Sequence, residues 1–212
     1  MAPSKQTATG RKGRVKDAEA AEFTDESKTI HRTWRRPTFL SQVIQGKEYG
    51  NAIHSAMQYI RYENCTGEAE IAREIHRLAE AGFLKKEQAA LVNCQKLAAF
   101  FESDLGLKLR NGIPHVREFK FSILDDGNHY GENLQQEKVL LQGVVDCAVL
   151  EEDGITILDF KTDYVTEETI SDVIDRYRLQ IETYAEAMAR IYEMPVKHKY
   201  LYLFHLDRYV CV

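Results

Sequence analysis

Gly143-Val-Val-Asp146 runs on through Cys147-Ala-Val-Leu150 to Asp153-Gly154, and Ile155-Thr-Ile-Leu-Asp-Phe-Lys-Thr-Asp163 follows. Both apolar runs read as strands, and the Asp-Gly pair between them is a strong signal for a tight hairpin turn. The second run is apolar on both faces at first, as in a central strand buried on both sides. It then places Asp159 and Lys161 at i and i+2, on one face of the strand. An antiparallel pairing centred on the turn sets Asp146 roughly opposite Asp159.

Charges at the end of a buried strand are costly unless they are paired or bound to a cation. Two carboxylates brought together repel, and a divalent cation relieves that repulsion. A lysine beside them can hold a water or a phosphoryl oxygen. The group suits metal-assisted phosphodiester hydrolysis, with the ion as Lewis acid and Lys161 steadying the nucleophile or the developing charge. On that reading, alanine at Asp159 or Lys161 is expected to abolish cleavage and leave the fold nearly intact. The plainer alternative for an Asp-x-Lys tripeptide is an ion pair at a strand end. Glu118-Phe-Lys120 has the same acid-x-Lys form, but no Gly-x-x-Asp strand and tight turn precede it, so it is not read as the core motif.

Outward from this hairpin the chain divides into two halves. From Glu48 to about Asp104 apolar residues recur at helical spacing: Ile53, Met57 and Ile60, then Ile71, Ile75 and Leu78, then Leu91, Cys94, Leu97 and Phe101. Val116–Ile123 reads as a strand, Asp125–Asn133 as a polar loop, Val139–Leu150 and Ile155–Phe160 as the strands of the hairpin. Glu167–Glu193 is mostly helix with Pro195 just past its end, and Tyr200–Leu206 is a last strand. That order makes an α/β or α+β domain built on a small mixed sheet, with a helical N-terminal half.

The 212 residues suit one sizeable domain, and 44% hydrophobic with 29% charged residues is ordinary for a globular chain. No run approaches the roughly 20 apolar residues a membrane span needs. The N-terminus lacks the apolar core of a secretory signal, so a cytoplasmic location and free thiols at Cys65, Cys94, Cys147 and Cys211 are expected. None of the four forms a CxxC pair, so neither a zinc ribbon nor an iron–sulfur cluster is expected. Residues 1–16 hold five basic side chains and no acid, which leaves 23 basic against 33 acidic residues in the rest. Residues 1–28 read as a flexible basic tail or linker, and 29–212 as the folded domain. An acidic body is not a general phosphate-coating surface, so any work on nucleic acid requires cations, a local basic path or a partner.

Two further positions stand out. His54 and Gln58 are four apart and share a helix face. Imidazole suits Mn²⁺ or Mg²⁺ sites when carboxylates supply the other ligands, although a lone histidine is commonly just hydrogen-bonded. Gln180 is an amide inside the apolar stripe Tyr177, Ile181, Tyr184, Met188, so it must bond to backbone or to an active site.

Taken in order, Gly50-x-x-x-His54, Glu118 in a strand, Gly143-x-x-Asp146, Asp159-Phe-Lys161-Thr-Asp163 and Tyr177-x-x-Gln180-x-x-x-Tyr184 resemble the RecB-like branch of the PD-(D/E)xK nucleases. The set looks most like the C-terminal nuclease domain of the AddA component of AddAB helicase–nucleases, over nearly the whole chain. The resemblance implies an α/β restriction-endonuclease-like core, a central mixed sheet flanked by helices. It implies that His54, Asp146, Asp159 and the carbonyl of Phe160 hold Mg²⁺ or Mn²⁺. It implies that Lys161 is the catalytic lysine and that Gln180 and Tyr184 orient DNA or the catalytic groups. Glu118 matches a family acidic position of less defined role. The partners implied are single-stranded DNA at processed ends, the helicase part of an AddA-like chain and an AddB-like subunit. The chain has no G-x-x-x-x-G-K-[S/T] phosphate loop, so helicase or ATPase activity is not expected of it. The competing readings are a catalytically weak docking module on the same fold and a hydrolase of small phosphoesters.

Overall fold

The computed structural model describes residues 5–7, 38–126 and 138–212. Helices α1 (Thr38–Tyr59), α2 (Glu68–Glu80), α3 (Lys86–Leu91), α4 (Cys94–Glu102) and α5 (Asp104–Arg110) make the N-terminal half. Strands β2 (His115–Asp126), β3 (Lys138–Glu151) and β4 (Gly154–Lys161) follow, then α6 (Ile170–Tyr192), β5 (Val196–Leu203) and β6 (Arg208–Cys211). The mixed sheet and its flanking helices are those expected. No described helix is long and apolar enough to cross a membrane. The four cysteines are free.

Some boundaries differ. β5 begins at Val196 rather than Tyr200, and Phe204–Asp207 turn the chain into β6, a strand not anticipated. Asp125 and Asp126 complete β2, and the rest of the expected polar loop lies outside the described residues. Within the segment read as a tail, Lys5–Thr7 forms β1, parallel to Leu140–Gln142 of β3, while the other residues of 1–28 lie outside the described residues.

Local chemistry explains the elements. Ile71, Ile75 and Leu78 form the buried face of α2. Asn93 caps α4 by accepting hydrogen bonds from the amides of Gln95 (3.0 Å) and Lys96 (3.2 Å). Gly154 opens β4 with φ +152°, and a Cβ there would lie 2.8 Å from the Pro195 carbonyl, so the hairpin needs glycine at this position.

The sheet separates two apolar layers. On one side Cys147, Val149, Leu158, Phe160 and Tyr202 pack with α1, α2, α4 and α5. On the other, Leu141, Val145, Ile155, Ile157, Leu201 and Leu203 pack with Val173, Tyr177, Ile181 and Tyr184 of α6. β2 covers one edge of β3 from Lys138 to Val149. The other edge is shared, with β4 on Cys147–Glu151 and β1 on Leu140–Gln142. Between them, Gly143–Asp146 has no strand partner on that edge among the described residues, so the sheet opens there.

Glu74 ties α2 to the turn after α1. It accepts from Arg61 N (3.2 Å), Asn64 Nδ2 (2.9 Å) and Arg77 Nη2 (2.7 Å). Burial would raise its pKa, but these donors hold it below the ordinary carboxylate range. A depressed carboxyl stabilises the fold above its unfolded pKa and loses that contribution as pH falls. Glu74→Ala is therefore expected to cost about 2 kcal/mol in urea unfolding at neutral pH. The difference from wild type should shrink as the pH falls below about 4.

Candidate active site

Asp159 and Lys161 lie two and four residues beyond Ile157 in strand alternation, so they face the α6 layer. Both are buried, and their charges meet at 2.8 Å. The contact is an ion pair outside hydrogen-bond angles, and Asp159 Oδ2 accepts no hydrogen bond among the described residues. The ammonium also stands over the Tyr177 ring, 4.0 Å from its centroid. The Tyr177 hydroxyl in turn donates to Asp163 at 3.1 Å. Burial alone would lower the Lys161 pKa, but Asp159 beside it outweighs this and keeps the lysine charged. Burial raises the Asp159 pKa to about 6, with Lys161 opposing and Asp146 adding to the rise.

The hairpin register is the one expected. The ladder runs from Glu151↔Gly154 to Cys147↔Leu158, and the next rung sets Asp146 against Asp159. Pairing stops there because Asp146 turns its carboxylate into the opening, where Oδ2 accepts the Phe160 amide proton at 2.8 Å. His54 Nδ1 approaches the same oxygen at 3.4 Å. Burial disfavours charge on both groups, yet each stabilises the charged form of the other. His54 is raised to about 9 and Asp146 is lowered.

A break in alternation aims these groups. Val116 and Ala148, paired across β2 and β3, face the α6 layer, and so do the paired Phe119 and Val145. An odd step of three residues on each strand means both change phase between these rungs. The rung skipped in the ladder is Glu118 opposite Asp146, and Glu118 has φ +47°. A left-handed backbone is costly for a residue with a side chain, and such strain is commonly kept at functional sites. Glu118, whose acid-x-Lys tripeptide is not the core motif, nevertheless joins the cluster: ligand atoms of His54, Glu118 and Asp146 lie within 4.8 Å of one another. Burial, with Asp146 nearby, raises the Glu118 pKa to about 7.

Two devices hold α1 in place. A Cβ on Gly50 would stand 3.0 Å from Thr162 Oγ1, so glycine lets the helix lie against the end of β4 one turn before His54. Arg117, next to Glu118, donates to the carbonyls of Met57 (3.2 Å) and Ile60 (2.7 Å) at the C-terminal end of α1. Gln180 Nε2 donates to the Tyr184 hydroxyl at 2.6 Å, while its Oε1 is buried with no partner among the described residues. Burial and the charges of Asp159 and Asp146 raise the Tyr184 pKa, which sets this pair beside the carboxylates.

The structure thus brings His54 and Asp146 together, with Glu118 as their third member. Asp159 and Lys161 adjoin them from the α6 side, Phe160 offers its amide, and Gln180 with Tyr184 closes that side. One imidazole, clustered carboxylates and a buried carboxylate oxygen without a hydrogen bond form a donor set that fits a hard divalent cation. Sequence reasoning missed Tyr177 as the seat of Lys161 and Arg117 as the clamp on α1. The Tyr-x-x-Gln spacing was a usable signal for the first, and nothing local marks the second.

The Asp159–Lys161 geometry revises one expectation, that alanine at either position leaves the fold nearly intact. Removing one member of a buried ion pair strands the other. Lys161→Met is expected to lower unfolding free energy by roughly 3–5 kcal/mol at neutral pH. Asp159→Asn combined with Lys161→Met should recover much of that loss in the same urea titration.

Comparison with known proteins agrees with this arrangement. Residues 28–208 match the family model of the PD-(D/E)XK nuclease superfamily. The large chain of an ATP-dependent helicase/nuclease from Clostridium botulinum (strain Loch Maree / Type A3) is 37% identical over 183 residues, which cover 83% of this chain and 14% of the relative. The same-named protein of Clostridium novyi (strain NT) is 35% identical over 83% of this chain and 15% of its own length. The chain thus spans about one-seventh of these relatives. The crystal structure of SSO0001 aligns with a TM-score of 0.36 at 11% identity over 82% of this chain and 76% of that one, too slight a likeness to argue from. On sequence match, sheet and site together, the chain belongs to the PD-(D/E)XK nuclease superfamily.

Proposed function

We propose that residues 29–212 form a nuclease domain that hydrolyses phosphodiester bonds of single-stranded DNA with Mg²⁺ or Mn²⁺. In this reading it is the exonucleolytic cutting part of a cytoplasmic AddAB-type helicase–nuclease that processes broken ends for recombinational repair, beside an AddA motor and an AddB-like subunit. The observation that carries it is the clustering of His54, Glu118 and Asp146 beside the buried Asp159–Lys161 pair. The names of the relatives, which describe an ATP-dependent helicase/nuclease, support the wider setting.

His54, Asp146, Asp159 and the Phe160 carbonyl would hold the ion, with Glu118 in reach. When bound, the ion supplies Lewis acidity to the scissile phosphate and makes a water more acidic. Lys161 contributes a fixed cation, not a base, because Asp159 keeps it protonated. Its ammonium is placed to stabilise negative charge on a phosphate oxygen or to orient the attacking water. Tyr177 limits the lysine to that direction. Gln180 and Tyr184 present a buried amide oxygen and a protonated hydroxyl to whatever enters from the α6 side.

End-labelled single-stranded DNA, incubated with the chain and Mg²⁺ or Mn²⁺, should be cut, and EDTA should stop the cutting. Asp159→Ala and Lys161→Ala, checked by circular dichroism for fold, should each lower kcat by roughly a hundredfold or more. Unchanged turnover in either folded variant would remove that residue from the mechanism. No cutting by wild type in either metal would overturn the reading for the chain alone. His54→Ala should raise the metal concentration for half-maximal cutting more than it weakens DNA binding. Because a cation competes with the proton on His54, its affinity should rise with pH up to about 9, by at most roughly tenfold per pH unit in calorimetric titration.

A further inference from the structure

Tyr164 is the most exposed large hydrophobic side chain of the described residues, at 78%. An aromatic ring left this open on a folded domain is unusual enough to ask what covers it. It sits three residues after Lys161, so its Cα is at most about 10 Å from that of the lysine. It is not alone. The His205 ring lies against it with centroids 4.3 Å apart and planes at 51°, which leaves much of the tyrosine free.

The support of this ring pair is rigid and tied to the site. His205 is in the turn between β5 and β6. The next-door Phe204 amide donates to the Lys161 carbonyl at 2.9 Å. Leu206 N closes the turn on Leu203 O at 3.0 Å. Lys96 of α4 donates to the His205 carbonyl at 3.0 Å and pairs with Asp207 at 2.7 Å. Thr162, just before, touches α1 at Gly50. The ring pair is therefore held at the rim of the opening that contains Asp146, Asp159 and Lys161.

A neutral aromatic face also answers the charge problem of this domain. Residues beyond the first sixteen carry more acid than base, so phosphate attraction is weak and a strand must be held by other means. Stacking of an unpaired base on an aromatic ring needs no cation and tolerates any sequence. Resting on the nuclease reading above, we infer that Tyr164, backed by His205, is a stacking platform for a base of the single strand next to the phosphate at the site. Duplex DNA cannot use it, because its bases are already stacked on one another. The platform thus selects unpaired strand by geometry.

The test uses the full chain and a single-stranded oligonucleotide carrying 2-aminopurine at successive positions. In EDTA, binding of wild type should quench the probe at one or two adjacent positions, and Tyr164→Ala should abolish that quench. In Mg²⁺ or Mn²⁺, Tyr164→Ala should raise KM about tenfold with kcat nearly unchanged, and Tyr164→Trp should restore KM. An abasic residue at the quenched position should weaken wild type but add nothing to Tyr164→Ala. Wild-type cutting with no quench, and a KM that Tyr164→Ala leaves unaltered, would overturn the platform while sparing the nuclease. Quenching without cutting would do the reverse. Absence of both would remove both.

Discussion

Negative charge crowded into a place with little water is the constraint from which the rest follows. Asp159 is buried, Asp146 is largely buried beside it, and Glu118 is half-buried next to Asp146. Carboxylates so placed repel and also lose their hydration. Each compensation comes from a different element: His54 from α1, the Phe160 amide and Lys161 from β4, and the Tyr177 ring from α6 to seat the lysine. Removing any of these elements leaves charge stranded. The clamps that look remote, Arg117 on the end of α1 and the close approach at Gly50, matter because they carry one compensating charge to its place.

The sheet makes room for this crowding by failing locally as a sheet. β3 is paired along one edge, but its other edge is handed from β4 to β1 with a gap at Gly143–Asp146. At the same level β2 and β3 change phase together, and Glu118 takes a left-handed backbone. A perfect ladder would have aimed Asp146 and Glu118 into an apolar layer. The irregular rung keeps the register, so the cores on both sides stay filled, while two side chains are released into the opening. Both layers then reach the site. The helical half supplies the imidazole, and α6 supplies the aromatic and amide groups.

Much of this was legible before any coordinates. The Asp153-Gly154 turn and its flanking apolar runs determined the hairpin, and counting outward from the turn put Asp146 level with Asp159. Helical spacing found α2 and α4, and the motif order placed His54 and Gln180 on the right helices. What escaped has a common physical character. The phase change at Glu118 is a single backbone torsion, and acid-x-Lys at that position looks like many chance tripeptides. β1 is three residues whose pairing partner is more than a hundred residues away, and β6 follows a turn without the usual glycine signal. Arg117 acts on the carbonyls at a helix end, which any basic residue could meet. Local pattern cannot register a contact whose other half is distant.

The same distances bear on how the protein comes into being. His54 meets a carboxylate ninety-two positions further along the chain, and the lysine that completes the group comes later still. Closing so long a loop is entropically unfavourable until the intervening sheet and helices exist to reward it. During synthesis, a chain that has emerged only as far as its helical half holds no fragment of the site that could act. The apparatus for breaking phosphodiester bonds is assembled only after nearly all of the domain has been made and folded, so half-made copies are harmless by topology alone.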